Sequence, residues 1–233
     1  MSTDIKNGTW EFLKESKLWH FDKNYKLPNY KVIGRFNGNW QNELNQLDFE
    51  QLKRISNTMS HKAKDSYYSD IEEGNKKDFI KYGFPKNLEY GFVNDNKLNK
   101  EVLPEIFIRM FDKIPVLNAY PKFTKQMPGQ LWPMHFDNYH ALRPNLTEKT
   151  WEDPNIRRIW IALNDWDWGH YITFGNTPWT GWKAGDILYF DWLVPHGTAN
   201  CGNTPRFSMF VTGFMTDEMR NWIQNDEFRE IVL

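Results

Sequence analysis

The sequence predicts a mainly β protein, an antiparallel barrel or jelly-roll core flanked by helices. Three observations carry that expectation. The texture of the chain changes near residue 115, from helical spacing to short β-like runs. Those runs are bounded by Gly, Pro or Asn and have no helical pattern between them, which points to antiparallel strands rather than to a doubly wound sheet. A length of 233 residues also lies in the range where one barrel or sandwich runs as a single domain, burying roughly 70–75% of the unfolded surface.

Taken in order, the first 114 residues read mostly as a helical frame. Leu44, Leu47, Leu52, Ile55 and Met59 recur at three-to-five-residue spacing, and Leu98, Val102, Ile106 and Met110, with Leu103 and Phe107, form a second amphipathic stretch. Pro104 suits the first turn of that second helix. From Val116 the runs are VLNAYPKFTKQM, QLWPMHFD, IRRIWIALND, HYITFGN, DILYFDWLVPH and RFSMFVTGFM. DEMRNWIQND then closes the chain as a helix. The expected organisation is one domain: a frame over 1–114, a β core with the site over 115–215, and a helix and tail over 216–233.

Composition narrows the function. There are 29 basic and 30 acidic side chains, a formal charge of −1 and a pI near 6.6, which argues against nucleic acid or a membrane surface as a partner. One cysteine, Cys201, excludes an intramolecular disulfide framework and a Cys-rich zinc site and fits a reducing compartment. The N-terminal segment MSTDIKNGTWEFLKESK is too polar for a signal peptide and no apolar run approaches 18 residues, so a cytoplasmic location is expected. The sequons at Asn7 and Asn145 then carry no weight as glycosylation sites. Aromatic residues reach 17%, including 12 Trp.

Chemistry concentrates in the β half. His135 and Asp137 are two apart at the end of a strand and therefore share a face, with Phe136 turned away. His196 follows 59 residues after Asp137. Two histidines and one carboxylate can cap one face of an octahedral ion and leave three positions open, an arrangement suited to non-heme Fe(II). Arg206 and Ser208, beginning ten residues after His196, also share a strand face and offer a guanidinium fork and a hydroxyl to a carboxylate. Chance supplies roughly 0.4 His-x-Asp occurrences in a chain with 6 His and 16 Asp, so the pair alone is uninformative, whereas the joint pattern is expected roughly 0.001 times. Singly, these residues read as a solvated turn pair, a loop histidine and a surface arginine. Arg143, Arg157 and Arg158 compete with Arg206 as carboxylate anchors.

The pattern His135-x-Asp137, His196 and Arg206-x-Ser208 resembles that of the Fe(II)/2-oxoglutarate-dependent oxygenase superfamily. Supporting context spans Lys122 to Phe214: Gly129-x-x-Trp132-x-x-His135-x-Asp137 is similar to the prolyl-hydroxylase-like first motif, Arg158 to Asp165 to a central barrel strand, and Ala184-Gly185-Asp186 to Phe190 to the turn and strand before the distal histidine. The resemblance implies a double-stranded β-helix of the jelly-roll, cupin-like kind. It implies Fe(II) on His135, Asp137 and His196, and O₂ and 2-oxoglutarate as co-substrates, the latter chelating the iron and anchored by Arg206 and Ser208. It further implies decarboxylation to succinate with hydroxylation of an unactivated C–H in an amino-acid-like small molecule or a peptide side chain. With Asp137 present the ligand set is closed to chloride, which disfavours halogenation. The competing readings are a cupin-type metal enzyme that does not use 2-oxoglutarate and a non-catalytic binding module whose aromatics stack on sugars or bases.

Substrate contacts are expected from Asn138, Tyr139, His140 and Arg143, which directly follow the metal motif. On the IRRIWIALND strand, Arg158, Trp160, Ala162 and Asn164 share a face, so Trp160 and Asn164 are further candidates. His140 and His170 are expected to line or flank the entrance rather than to ligate, and Cys201 to be a small buried residue. The tryptophans of the β half, with Phe136, are expected to wall a dry pocket.

Overall fold

The computed structural model describes residues 30–47, 94–97, 103–135, 156–175, 177–190, 194, 196–225 and 228–233. Its elements are β1 (Tyr30–Asn37), α1 (Gln41–Gln46), β2 (Asn94–Lys97), α2 (Glu105–Asp112), β3 (Val116–Gln126), β4 (Leu131–His135), β5 (Ile156–Ala162), β6 (His170–Phe174), β7 (Thr177–Trp179), β8 (Asp186–Phe190), β9 (His196–Asn200), β10 (Arg206–Met215), α3 (Asp217–Gln224) and β11 (Arg229–Val232).

The strands form two sheets, one of order β11-β1-β8-β5-β10-β3-β2 and one of order β4-β9-β6-β7. From β3 to β10 the chain passes back and forth between them, with β3, β5, β8 and β10 in the first sheet and β4, β6, β7 and β9 in the second. Every ladder among these eight strands is antiparallel. Four strands facing four, with the chain winding between the sheets, is a double-stranded β-helix. β1, β11 and β2 extend the first sheet at its two edges.

Alternation of side chains gives the first sheet two buried faces. Met209 stands opposite Phe123 on one side and Ile161 on the other, and Ile161 opposite Ile187. This face packs under Phe107, Met110 and Phe111 of α2 and Met219 and Trp222 of α3. The opposite face carries Ser208 beside Thr124 and Ala162, and Phe210 beside Trp160, itself opposite Leu188. There Trp160, Ala162, Leu188 and Phe190 meet Ile172, Phe174 and Trp179 of the second sheet. The polar residues of interest therefore lie between the sheets, and the helices cover the far side.

Several expectations are refined. α1 holds only part of the first periodic stretch: Leu44 is buried, Leu47 caps the helix, and Leu52, Ile55 and Met59 lie outside the described residues. Pro104 is the N-cap of α2 rather than a residue of its first turn, and Leu103 is buried just before it. The N-terminal region also contributes β1 and β2, and the tail contributes β11, which pairs parallel to β1. Gly34 makes that last pairing possible, since a Cβ there would collide with the carbonyl oxygen of Arg229. The run DILYFDWLVPH divides into β8 and the start of β9, on different sheets. α3 matches its expected span and is capped by Thr216, whose hydroxyl accepts from the Met219 N–H at 3.1 Å. No helix among the described residues is long and apolar enough to cross a membrane.

Candidate metal and carboxylate site

β4 and β9 are neighbours, and their register sets the backbone of His135, the last residue of β4, directly opposite that of His196, the first of β9. The ladder shifts register between Trp132 and His135. Two sequence-distant histidines thus meet at one end of the second sheet. The His196 side chain is buried, and its Nδ1 lies 3.1 Å from the Val194 carbonyl oxygen. A carbonyl only accepts, so Nδ1 carries the proton, a tautomer in which Nε2 can ligate a metal. Phe190 and Phe174, with ring centroids 4.7 and 5.9 Å from the imidazole, form its apolar walls. Asp137 and the His135 side chain lie outside the described residues, as do Asn138, Tyr139, His140 and Arg143. Among the described residues no group of three His, Cys, Asp or Glu side chains is placed to hold a metal.

Arg206 opens β10 on the inner face and is 2% exposed. Its Nε and Nη1 have no hydrogen-bond partner among the described residues. Burial pushes its pKa down to about 9, so at neutral pH it remains a cation in a dry environment. The guanidinium carbon lies 5.2 Å from the centroid of Trp160. Trp160 is fixed in turn by Phe210, stacked at 5.5 Å, and by Trp179, edge-on at 5.3 Å. The Trp160 indole nitrogen is also buried with no partner among the described residues, as is Gln126 Oε1, although the Gln126 Nε2 donates to the Gln130 carbonyl and the Thr198 hydroxyl. Ser208 is buried two residues along the same face as Arg206.

Two of the three competing arginines, Arg157 and Arg158, are engaged elsewhere. Arg158 donates through Nε to the Thr212 hydroxyl and lies over the Phe210 ring. Arg157 bonds the Ile156 carbonyl and the Tyr189 hydroxyl. Of the two further candidates on β5 and its extension, Trp160 faces inward. Asn164 has its amide engaged, donating to the Pro205 carbonyl and accepting from the Phe207 N–H, so it straps the start of β10.

One polar cluster has no counterpart in the sequence reading. His170 is fully buried, which corrects its expected place at the entrance. Its Nε2 meets the Thr204 carbonyl at 3.0 Å, its ring stacks on Trp182, and its Nδ1 has no partner among the described residues. Desolvation and the nearby Arg206 hold its pKa below the ordinary value, against hydrogen bonding and Asp167, which act the other way. Thr204 donates to Asp167 at 2.6 Å, and the Asn200 amide donates to the carbonyls of Gln126 and Thr204. Backbone approach completes the clamp. Gly169, at φ +87°, lies so close to Gly202 that no Cβ fits, and its carbonyl accepts from the Cys201 N–H at 2.7 Å. This cluster pins the turn that delivers Arg206. Asp167, His170 and Thr204 are ordinary turn and strand residues spread over 38 positions, with no spacing signal to group them. Cys201, expected to be buried, is exposed because it sits at the outside of that turn, just past β9.

The aromatic excess is divided between the two cores. Trp160, Trp179 and Trp182 are buried between the sheets, Trp166 is half-buried beside them, and Trp40 and Trp222 belong to the helix-covered face. Trp168 is 81% exposed and walls nothing. Phe136, Trp192 and the Trp132 side chain lie outside the described residues.

No protein-family model matches the chain, and no curated protein sequence matches it. Solved structures of similar fold include a double-stranded β-helix domain protein of Klebsiella pneumoniae, 18% identical over 57% of this chain and 84% of that one, TM-score 0.32. Another is described as a predicted oxalate decarboxylase from Thermotoga maritima, 17% identical over 53% and 81% of the two chains, TM-score 0.32. A third is a non-heme monooxygenase in complex with nickel, 16% identical over 42% of this chain and 43% of that one, TM-score 0.32.

Proposed function

We propose that this chain is an Fe(II)- and 2-oxoglutarate-dependent oxygenase that hydroxylates an unactivated C–H of an amino-acid-like small molecule or a peptide side chain. The observation that carries the reading is Arg206: a buried cation on the inner face of a double-stranded β-helix, with two donors that have no partner among the described residues. A desolvated guanidinium needs an anion, and its forked donors match a carboxylate. The histidine pair supports the same reading, since His135 and His196 are backbone partners across the β4–β9 ladder.

His135, Asp137 and His196 would hold the metal. The bound iron and 2-oxoglutarate supply oxygen activation, coupling decarboxylation to succinate with oxidation of the substrate. The protein's own contribution is positional and electrostatic. The Val194 carbonyl fixes the His196 tautomer, and Phe190 and Phe174 pack against the imidazole. Arg206, with Ser208, binds the distal carboxylate of 2-oxoglutarate. A hydrogen bond to a charged group contributes roughly 1.5–3 kcal/mol, so a 2-oxo acid lacking that carboxylate binds about ten- to a hundredfold more weakly. Asn138, Tyr139, His140 and Arg143, next in sequence to Asp137, are the candidate substrate contacts.

The test is succinate formation from 2-oxoglutarate in air, with and without Fe(II). Iron-dependent succinate that disappears in His135→Ala supports the proposal. Unchanged turnover in that variant sinks it, and absence of succinate from the iron-loaded wild-type protein would move the chain toward the cupin-type metal enzymes that do without 2-oxoglutarate.

A further inference from the structure

We infer that Trp160 is a specificity-determining residue, whose indole N–H donates a second hydrogen bond to the carboxylate that Arg206 anchors. The inference rests on the co-substrate reading above and extends it to a neutral donor, giving the inward-facing Trp160 a defined role. Buried indole N–H groups ordinarily find acceptors, and four in this protein do: Trp40 donates to the Leu163 carbonyl, Trp166 to that of His170, Trp182 to that of Asn164 and Trp222 to that of Ile33. The Trp160 indole nitrogen is buried without a partner among the described residues, and the Arg206 donors share that condition.

The guanidinium lies over the indole ring, its carbon 5.2 Å from the centroid, so one ligand group is within reach of both side chains. An ionised carboxylate accepts only, and its two oxygens offer about four lone-pair sites, enough for both side chains at once. Trp160 cannot turn to find another acceptor, because Phe210 stacks on its face and Trp179 packs edge-on against it. The donor is therefore preorganised. A group that offers only one acceptor, or none, at this point leaves the indole N–H buried and unmade, which penalises binding beyond the loss of charge.

The test uses the full chain loaded with Zn(II), a redox-silent stand-in for iron, titrated with 2-oxoglutarate and with the monocarboxylic 2-oxobutyrate. The Trp160 indole proton is observed by NMR and assigned by its loss in Trp160→Phe. On saturation with 2-oxoglutarate, but not with 2-oxobutyrate, that proton should move downfield. In Trp160→Phe, which keeps an aromatic ring beneath the guanidinium, calorimetry should show 2-oxoglutarate binding weakened about tenfold and 2-oxobutyrate binding unchanged. An unmoved indole proton at saturation overturns the inference and leaves the co-substrate reading intact, whereas absence of any 2-oxoglutarate binding to the wild-type protein overturns both. Equal weakening for the two acids in Trp160→Phe would assign Trp160 a general packing role and also overturn it.

Discussion

At the residue scale the decisive feature is a buried cation, Arg206, whose Nε and Nη1 have no partner among the described residues. Arg206 costs the ligand-free protein its desolvation, and that cost is the mark of a binding group rather than a stabilising one. Arg206→Met, similar in reach but apolar, is expected to stabilise the ligand-free protein by about 1–4 kcal/mol, the range seen when buried ionic groups give way to packed apolar ones. The same change should abolish 2-oxoglutarate binding. Urea midpoints of the two proteins check the first effect, and a lower midpoint in the variant would show that the guanidinium is satisfied in the ligand-free state. His170 supplies a pH effect of definite sign. Its folded pKa lies below the ordinary 6.5, so on acidification through that value the unfolded chain takes up a proton that the folded protein does not, and stability falls as pH falls. His170→Gln, which keeps a donor for the Thr204 carbonyl, should flatten this slope. Unfolding midpoints at about pH 7 and pH 5.5 read the difference, and parallel slopes would place the acid sensitivity elsewhere.

At the scale of elements, the strands legible in the sequence were those whose local pattern decides them. RFSMFVTGFM and IRRIWIALND have long apolar alternations, and β10 and β5 occupy them. β9 was hidden because HGTAN is short and polar, and its place is set by pairing to β4 and β6 rather than by its own residues. β11 was hidden for a related reason. Its four residues REIV are half charged and become a strand only because β1 presents a free edge. That dependence is testable at Gly34, where a Cβ would meet the Arg229 carbonyl. Gly34→Ala should detach β11 at a cost of about 1–3 kcal/mol, seen as lost amide-exchange protection at Ile231, while 2-oxoglutarate binding on the other face of the sheet stays unchanged. Retained protection would mean that the strand pair shifts to admit the methyl group.

Across the whole molecule, the first sheet separates two tasks. Its outer face is a conventional apolar core under α2 and α3, and its inner face carries the buried Arg206, Ser208, Thr124 and Gln126. The site was partly legible because the strand period sets Arg206 and Ser208 on one face of β10, whereas Asp137, expected to share a face with His135, lies outside the described residues. The clamp of Asp167, His170, Asn200 and Thr204 was not legible, since it exists only once two turns meet backbone to backbone at Gly169 and Gly202. In the proposed function the histidine pair and Arg206 hold two ends of one co-substrate, which would make metal and 2-oxoglutarate binding thermodynamically coupled. The direct measurement is calorimetric titration of 2-oxoglutarate under anaerobic conditions, with and without Fe(II). Binding at least about tenfold tighter with Fe(II) is expected, a gain lost in His196→Ala. Equal affinity with and without the metal would contradict the proposed function.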